Sequence, residues 1–125
     1  MGLLDSLNEF FGNKQIDETG YQELVRQREK VKKGLATELK KQLMMNDEEI
    51  KAVISLIEDY EKELDDVKNK FDTQNHSPKQ AEDMYEKLNA IQQKMVADVR
   101  GIIRFIMKEK LKKANLLFGN RKNNM

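Results

Sequence analysis

Apolar residues recur at three- and four-residue intervals through most of the chain, and nowhere do they alternate with polar ones as a half-buried strand requires. The most regular stretch runs from Asn46 to Phe71. There Ile50, Ile57, Leu64 and Phe71 repeat every seven residues, and Val53, Tyr60 and Val67 fill the position three after each of the first three. Such an a/d seam needs another apolar helix face to cover it. Its start is written in the preceding junction, MMNDEE: Asn46 can accept from first-turn amides, Glu49 stands where a capping box needs it, and Met45 can staple against Ile50. The spacing predicts a helix over 46–72, about 39 Å long at 1.5 Å per residue.

The flanking segments supply partners. A helix over 20–45 places Tyr21, Leu24, Val25, Arg28, Val31, Leu35, Leu39 and Leu43 down one side, a looser seam with Gly34 inside it as a site of kinking or breaking. The short connection at Met44 to Asn46 makes it an antiparallel neighbour of the next helix. Ser77, Pro78 and Gln80 read as cap, first helical proline and reciprocal glutamine, opening a third helix over 77–118. Its apolar spacing carries a stutter where Asp98 takes an apolar place, with Gly101 beside it, so a bend near 101 is expected. Residues 1–12 form a short amphipathic helix, with Leu3, Leu4, Leu7, Phe10 and Phe11 inside an arc of about 120°, stopped by Gly12 and Asn13. A polar linker over 13–19 follows it, and 119–125 is expected to be a disordered tail. The fold class is therefore all-α, within one domain over 1–125. Two arrangements fit: an antiparallel three-helix bundle or a coiled-coil-like long helical hairpin, with the amphipathic helix at its N-terminus and a basic helical extension at its C-terminus.

Charge sharpens this picture. The net charge of +1 conceals segregation. Residues 19–45 hold seven basic and three acidic side chains, residues 47–72 hold four and ten, and residues 100–125 hold eight and one. Opposite signs on successive helices favour their pairing. With 36% charged residues, one proline and no cysteine, the composition suits long helices and excludes disulfides and thiol chemistry. No apolar run is long enough to span a bilayer, and no signal-like start is present, which makes the cytoplasm the expected location.

Catalytic and metal-binding motifs are missing, so no cofactor and no enzymatic activity are expected. His76, the only histidine, has no helical partner at ligand spacing, and the carboxylates from Glu58 to Asp66 read as a solvated or ion-paired face. Met1, Gly2 and Ser6 match the short myristoylation pattern, which accidental sequences meet often. The candidate interaction surface is the basic and apolar stretch Arg100, Ile102, Ile103, Arg104, Phe105, Ile106, Met107, Lys108 and Lys112. A secondary surface is Leu3, Leu4, Leu7, Phe10 and Phe11. An amphipathic start before long helical hairpins resembles the phage-shock-protein A family over about a dozen residues without a specific motif, which implies a membrane-lying first helix. Asp5 and Glu9 oppose anionic lipid and favour packing of that helix onto protein. The pattern leads to a non-enzymatic helical protein–protein interaction module that forms homo-oligomers. The alternative is a peripheral protein binding anionic lipid through the basic C-terminal helix, and nucleic-acid binding through the same segment ranks below it.

Overall fold

In the computed structural model, residues 2–11 and 15–123 are described, with side chains as far as Leu116. Every regular element among them is helical: a 3-10 turn at Leu3–Ser6 runs into α1 (Leu7–Phe10), followed by α2 (Glu18–Leu43), α3 (Asp47–Asp72) and α4 (Pro78–Asn123).

The caps explain the boundaries. Asp17 accepts from the Gly20 amide at the start of α2. Asn46 and Glu49 exchange side-chain and backbone bonds at the start of α3, both at 2.8 Å, completing the capping box. Ser77 and Gln80 do the same for α4. Between α2 and α3 the chain reverses at Met44, whose left-handed backbone (φ 53°) lets the Met45 amide close on the Leu39 carbonyl. That conformation is normally given to glycine, because a side chain there crowds its own carbonyl.

α3 and α4 form the frame. They run antiparallel, as the pairs Glu49 with Lys110 and Tyr60 with Asp98 show. Val53, Ile57 and Leu64 from α3 and Leu88, Ile91, Met95 and Val99 from α4 are buried along them. Each such aliphatic side chain stabilises by about 1.5–3 kcal/mol, against roughly 0–1 for an exposed ion pair, so apolar burial sets this pairing.

α4 buries more than one seam because it has neighbours on two sides. Val96 and Ile103 are buried in addition to the a/d positions. The N-terminal segment lies antiparallel along that second side, held by α4 side chains that reach its backbone. Asn89 exchanges two bonds with Ile16, the Gln92 amide donates to the Phe11 carbonyl, and Arg100 Nε donates to the Leu4 carbonyl. Leu3, Leu7, Phe11 and Ile16 are buried beneath it. Asp98, which breaks the apolar spacing, accepts the Tyr60 hydroxyl.

Several boundaries differ from the sequence reading. The N-terminal helix expected over 1–12 is a 3-10 turn plus one α-turn, a shape that still keeps Leu3, Leu7 and Phe11 on one face. Its expected stop at Gly12 and Asn13 lies outside the described residues. α2 and α4 continue through Gly34 and Gly101 without a break. α4 also passes Phe118, Gly119 and Asn120, where a stop and a disordered tail were expected, and stays helical to Asn123. Glycine and asparagine lower helix propensity without forbidding it. Residues 124 and 125 lie outside the described residues.

Two exchanges of opposite sense test this backbone reading. A Cβ at Gly34 would meet only Phe10 Cε1 at 3.7 Å, so Gly34→Ala is expected to stabilise by about 1 kcal/mol. Met44→Gly is expected to stabilise by about 0.5–1 kcal/mol by relieving the left-handed side chain. Urea midpoints at unchanged slope provide the measurement; a drop for either variant would contradict the assignment.

Candidate functional site

The structure places two features where function can reside, and a charge cluster connects them. α2 approaches α3 through ions. Arg28 forks onto Asp65 with both bonds at 2.9 Å, and Tyr21 donates to the same carboxylate. Lys32, only 7% exposed, is surrounded by Glu61 at 2.9 Å, Glu29 at 3.0 Å and Glu58 at 3.4 Å. The pairs of Arg28 with Asp65 and of Lys32 with Glu58 and Glu61 follow from the opposite charges of the two helices, while Glu29 belongs to α2 itself.

The fields in this cluster are strong. Burial alone would lower Lys32, but the hydrogen bonds it donates to Glu61 and Glu29, with Glu58 beside them, raise it well above its ordinary value. Burial pushes Asp65 up, and the Arg28 fork with the Tyr21 hydroxyl pulls it below the usual carboxylate value. Tyr21 is pushed up to about 12 by burial and by Asp65. Tyr60 rises to about 12 chiefly through its hydrogen bond to Asp98, with burial adding to it.

Beside this cluster, the first half of α2 does not close onto the frame. A cavity of about 740 Å³ separates it from the N-terminal segment, α3 and α4. Phe10, Phe11, Ile16, Leu24, Val31 and Met95 contribute its apolar wall. On two of the residues beside it, Arg28 Nε and Gln92 Oε1 are enclosed beyond the reach of water and make no hydrogen bond, with the Glu61 carboxylate 3.8 Å from Arg28 Nε.

The second feature is the outward face of α4. Phe105, Leu111 and Leu116 are 62%, 61% and 66% exposed, and Arg104, Lys108 and Lys112 are exposed on the same side. Of the other residues singled out in this stretch, Ile103 is buried, while Ile102, Ile106 and Met107 pack against the core. Arg100 is half-buried at the Leu4 carbonyl. The stretch therefore divides into an inward structural half and an outward half. The five apolar residues of the N-terminal segment are all turned to the core: Leu3, Leu7 and Phe11 are buried, and Leu4 and Phe10 pack beside them. A membrane-lying first helix would need that face free.

Glu109, Leu111, Leu116 and the whole cavity were missed by the sequence reading. A wheel of α4 restricted to its outward arc was the available signal for the first three; the cavity leaves no signal beyond the looseness of the α2 seam. His76 is exposed in its loop and stacks on Phe71, ring centroids 3.9 Å apart. Among the described residues no cluster of carboxylates, histidine and cysteine could hold a metal ion, and no helix is long and apolar enough to cross a membrane.

Among the described residues the protein is all-helical, with an exposed apolar and basic face on the last part of α4 and a half-open cleft beside α2. In comparisons with known proteins, the chain matches no family model, no curated protein and no solved structure.

The charge cluster predicts a two-sided pH dependence. Asp65 and Glu49 have folded values below their unfolded ones, so their contribution is present above about pH 4.5 and lost as pH falls through the folded values. Tyr21 and Tyr60 have raised values, so their contribution is present below pH 10 and lost between 10 and about 12. Asp65→Asn is expected to cost about 2 kcal/mol near neutral pH, an amount already reduced for the exposure of that carboxylate. The gap from wild type should narrow towards about pH 3 in urea titrations; a gap independent of pH would contradict the ionic account.

Proposed function

We propose that this chain is a non-catalytic helical interaction module that self-associates through the C-terminal half of α4. In this reading α2, α3 and α4 form an antiparallel three-helix bundle with a coiled-coil-like α3–α4 pair, and the end of α4 is its basic extension. One observation carries the proposal. Phe105, Glu109, Lys112 and Leu116 are spaced four, three and four residues apart, which puts them within an arc of about 60° on the helix. Their order, apolar, acidic, basic, apolar, is self-complementary when reversed. An antiparallel second copy would set Phe105 against Leu116 and Glu109 against Lys112, each pairing occurring twice by symmetry.

The alternatives fit this face less well. Glu109 lies in the middle of the stripe, where an anionic lipid surface or a phosphate backbone would repel it. Arg104 and Lys108 lie to one side, where they remain in water when two copies meet. α4 also continues for thirteen residues beyond Lys110, which among the described side chains is the last one bonded to the α2–α3 end of the molecule.

Sedimentation equilibrium at micromolar concentration tests the proposal. Wild type is expected to dimerise. Glu109→Lys or Lys112→Glu alone turns both cross-pairs repulsive and should weaken the dimer about thirtyfold, roughly 2 kcal/mol. The double exchange should restore it, and the two single variants mixed in equal amounts should form a heterodimer. A monomeric wild type, or single variants that dimerise as wild type does, would overturn the proposal. Flotation of the monomeric protein with anionic vesicles would then favour the lipid-surface alternative.

A further inference from the structure

We infer that the N-terminal segment is a hinged strap: residues 2–11 leave and re-engage α4 as one unit, with Ile16 as the fixed point, while α2, α3 and α4 stay folded. The segment has little structure of its own. Its 3-10 turn and α1 are four residues each, and neither has a side-chain cap at its start. Helices that short do not hold themselves in water, so the shape of the segment is set by what it lies on.

Its polar grip on α4 is of one kind. Gln92 donates to the Phe11 carbonyl at 3.1 Å and Arg100 Nε to the Leu4 carbonyl at 3.3 Å. Both are side chains reaching backbone, and water can take the place of either. Leu3, Leu7 and Phe11 supply the apolar part of the contact. Towards α2 the segment is undercut. The cleft of about 740 Å³ runs beside Phe10 and Phe11, and a second hollow of about 290 Å³ lies between Gly2, Leu3 and Ser6 on one side and Gly34, Glu38 and Gln42 on the other. An element packed on one flank and hollow on the other is the kind that opens at lower free energy than the whole fold.

Ile16 is held differently. Its amide donates to Asn89 Oδ1 at 2.7 Å and its carbonyl accepts from Asn89 Nδ2 at 3.1 Å, while Asn89 is itself fixed to the Tyr85 carbonyl at 2.9 Å. Asp17, the next residue, caps α2. The chain is thus clamped where the strap ends and the helical body begins. Opening uncovers Val96 and Ile103 on the side of α4 that the segment covers, and frees Arg100 to stand in step with the exposed Arg104 and Lys108 at four-residue spacing. The closed strap keeps this cationic and apolar side of α4 from solvent.

The chain has no cysteine, so a single introduced thiol reports alone in the full-length protein. Leu7→Cys, Ile16→Cys and Val53→Cys place it at buried positions in the strap, at the clamp and in α3. With iodoacetamide under native conditions, Leu7→Cys is expected to label roughly tenfold faster or more than the other two, with a urea dependence above zero and below half that of Val53→Cys. Arg100→Met, which keeps the stem and removes the donor, should speed labelling of Leu7→Cys roughly threefold to tenfold and leave Val53→Cys unchanged. Equal rates and urea slopes at Leu7→Cys and Val53→Cys, or labelling of Ile16→Cys as fast as Leu7→Cys, would overturn the inference. Amide exchange in the wild-type chain decides the matter where a variant fails to fold: the Phe11 amide, bonded to the Leu7 carbonyl, is expected to show a urea slope between zero and that of Ile57. A slope equal to either limit would overturn the strap as a unit.

Discussion

The interaction on which the arrangement depends is the ionic contact between α2 and α3. Arg28 on Asp65, and Lys32 on Glu58 and Glu61, tie α2 to α3 along a stretch where Tyr21 is the one buried apolar side chain and Leu24 and Val31 are only partly buried. Further along, Leu35 and Leu39 are fully buried and hold its second half conventionally. The difference has a physical consequence. Ion pairs fix two helices at a spacing set by long side chains, and leave room behind them that close-packed leucines would fill. The cavity lies where charge replaces packing.

How much of this was legible follows from the same division. α3 could be read almost to the residue, because its seam, capping box and acidic first turn all specify one boundary. The start of α4 was equally plain from Ser77, Pro78 and Gln80. The N-terminal segment was legible as apolar on one face, but its attachment was not. Asn89, Gln92 and Arg100 look like ordinary surface residues until the backbone carbonyls of Ile16, Phe11 and Leu4 come within reach. Propensity also misjudged where α4 ends, since Gly119 and Asn120 are permitted in a helix as well as after one.

The candidate surface was legible as a stretch and not as a face. Nine residues chosen between Arg100 and Lys112, rich in isoleucine and basic side chains, cover both sides of a helix. Only the position of α3 and of the N-terminal segment decides which side remains outside. Once Ile103 is turned inward and Arg100 is held at Leu4, the outward arc reduces to Arg104, Phe105, Lys108, Glu109, Leu111, Lys112 and Leu116. Glu109, the one acidic residue in that stretch, then turns a simple basic patch into a patterned one.

The central claim is that charge holds the first half of α2 while apolar burial holds α3 and α4. Native-state amide hydrogen exchange, measured at low and at high salt, tests it residue by residue. Amides over 18–31 are expected to open at lower free energy than those over 50–64, and added salt should widen the gap by weakening the ion pairs at their partly exposed rim. Equal protection of α2 and α3, unchanged by salt, would contradict the account.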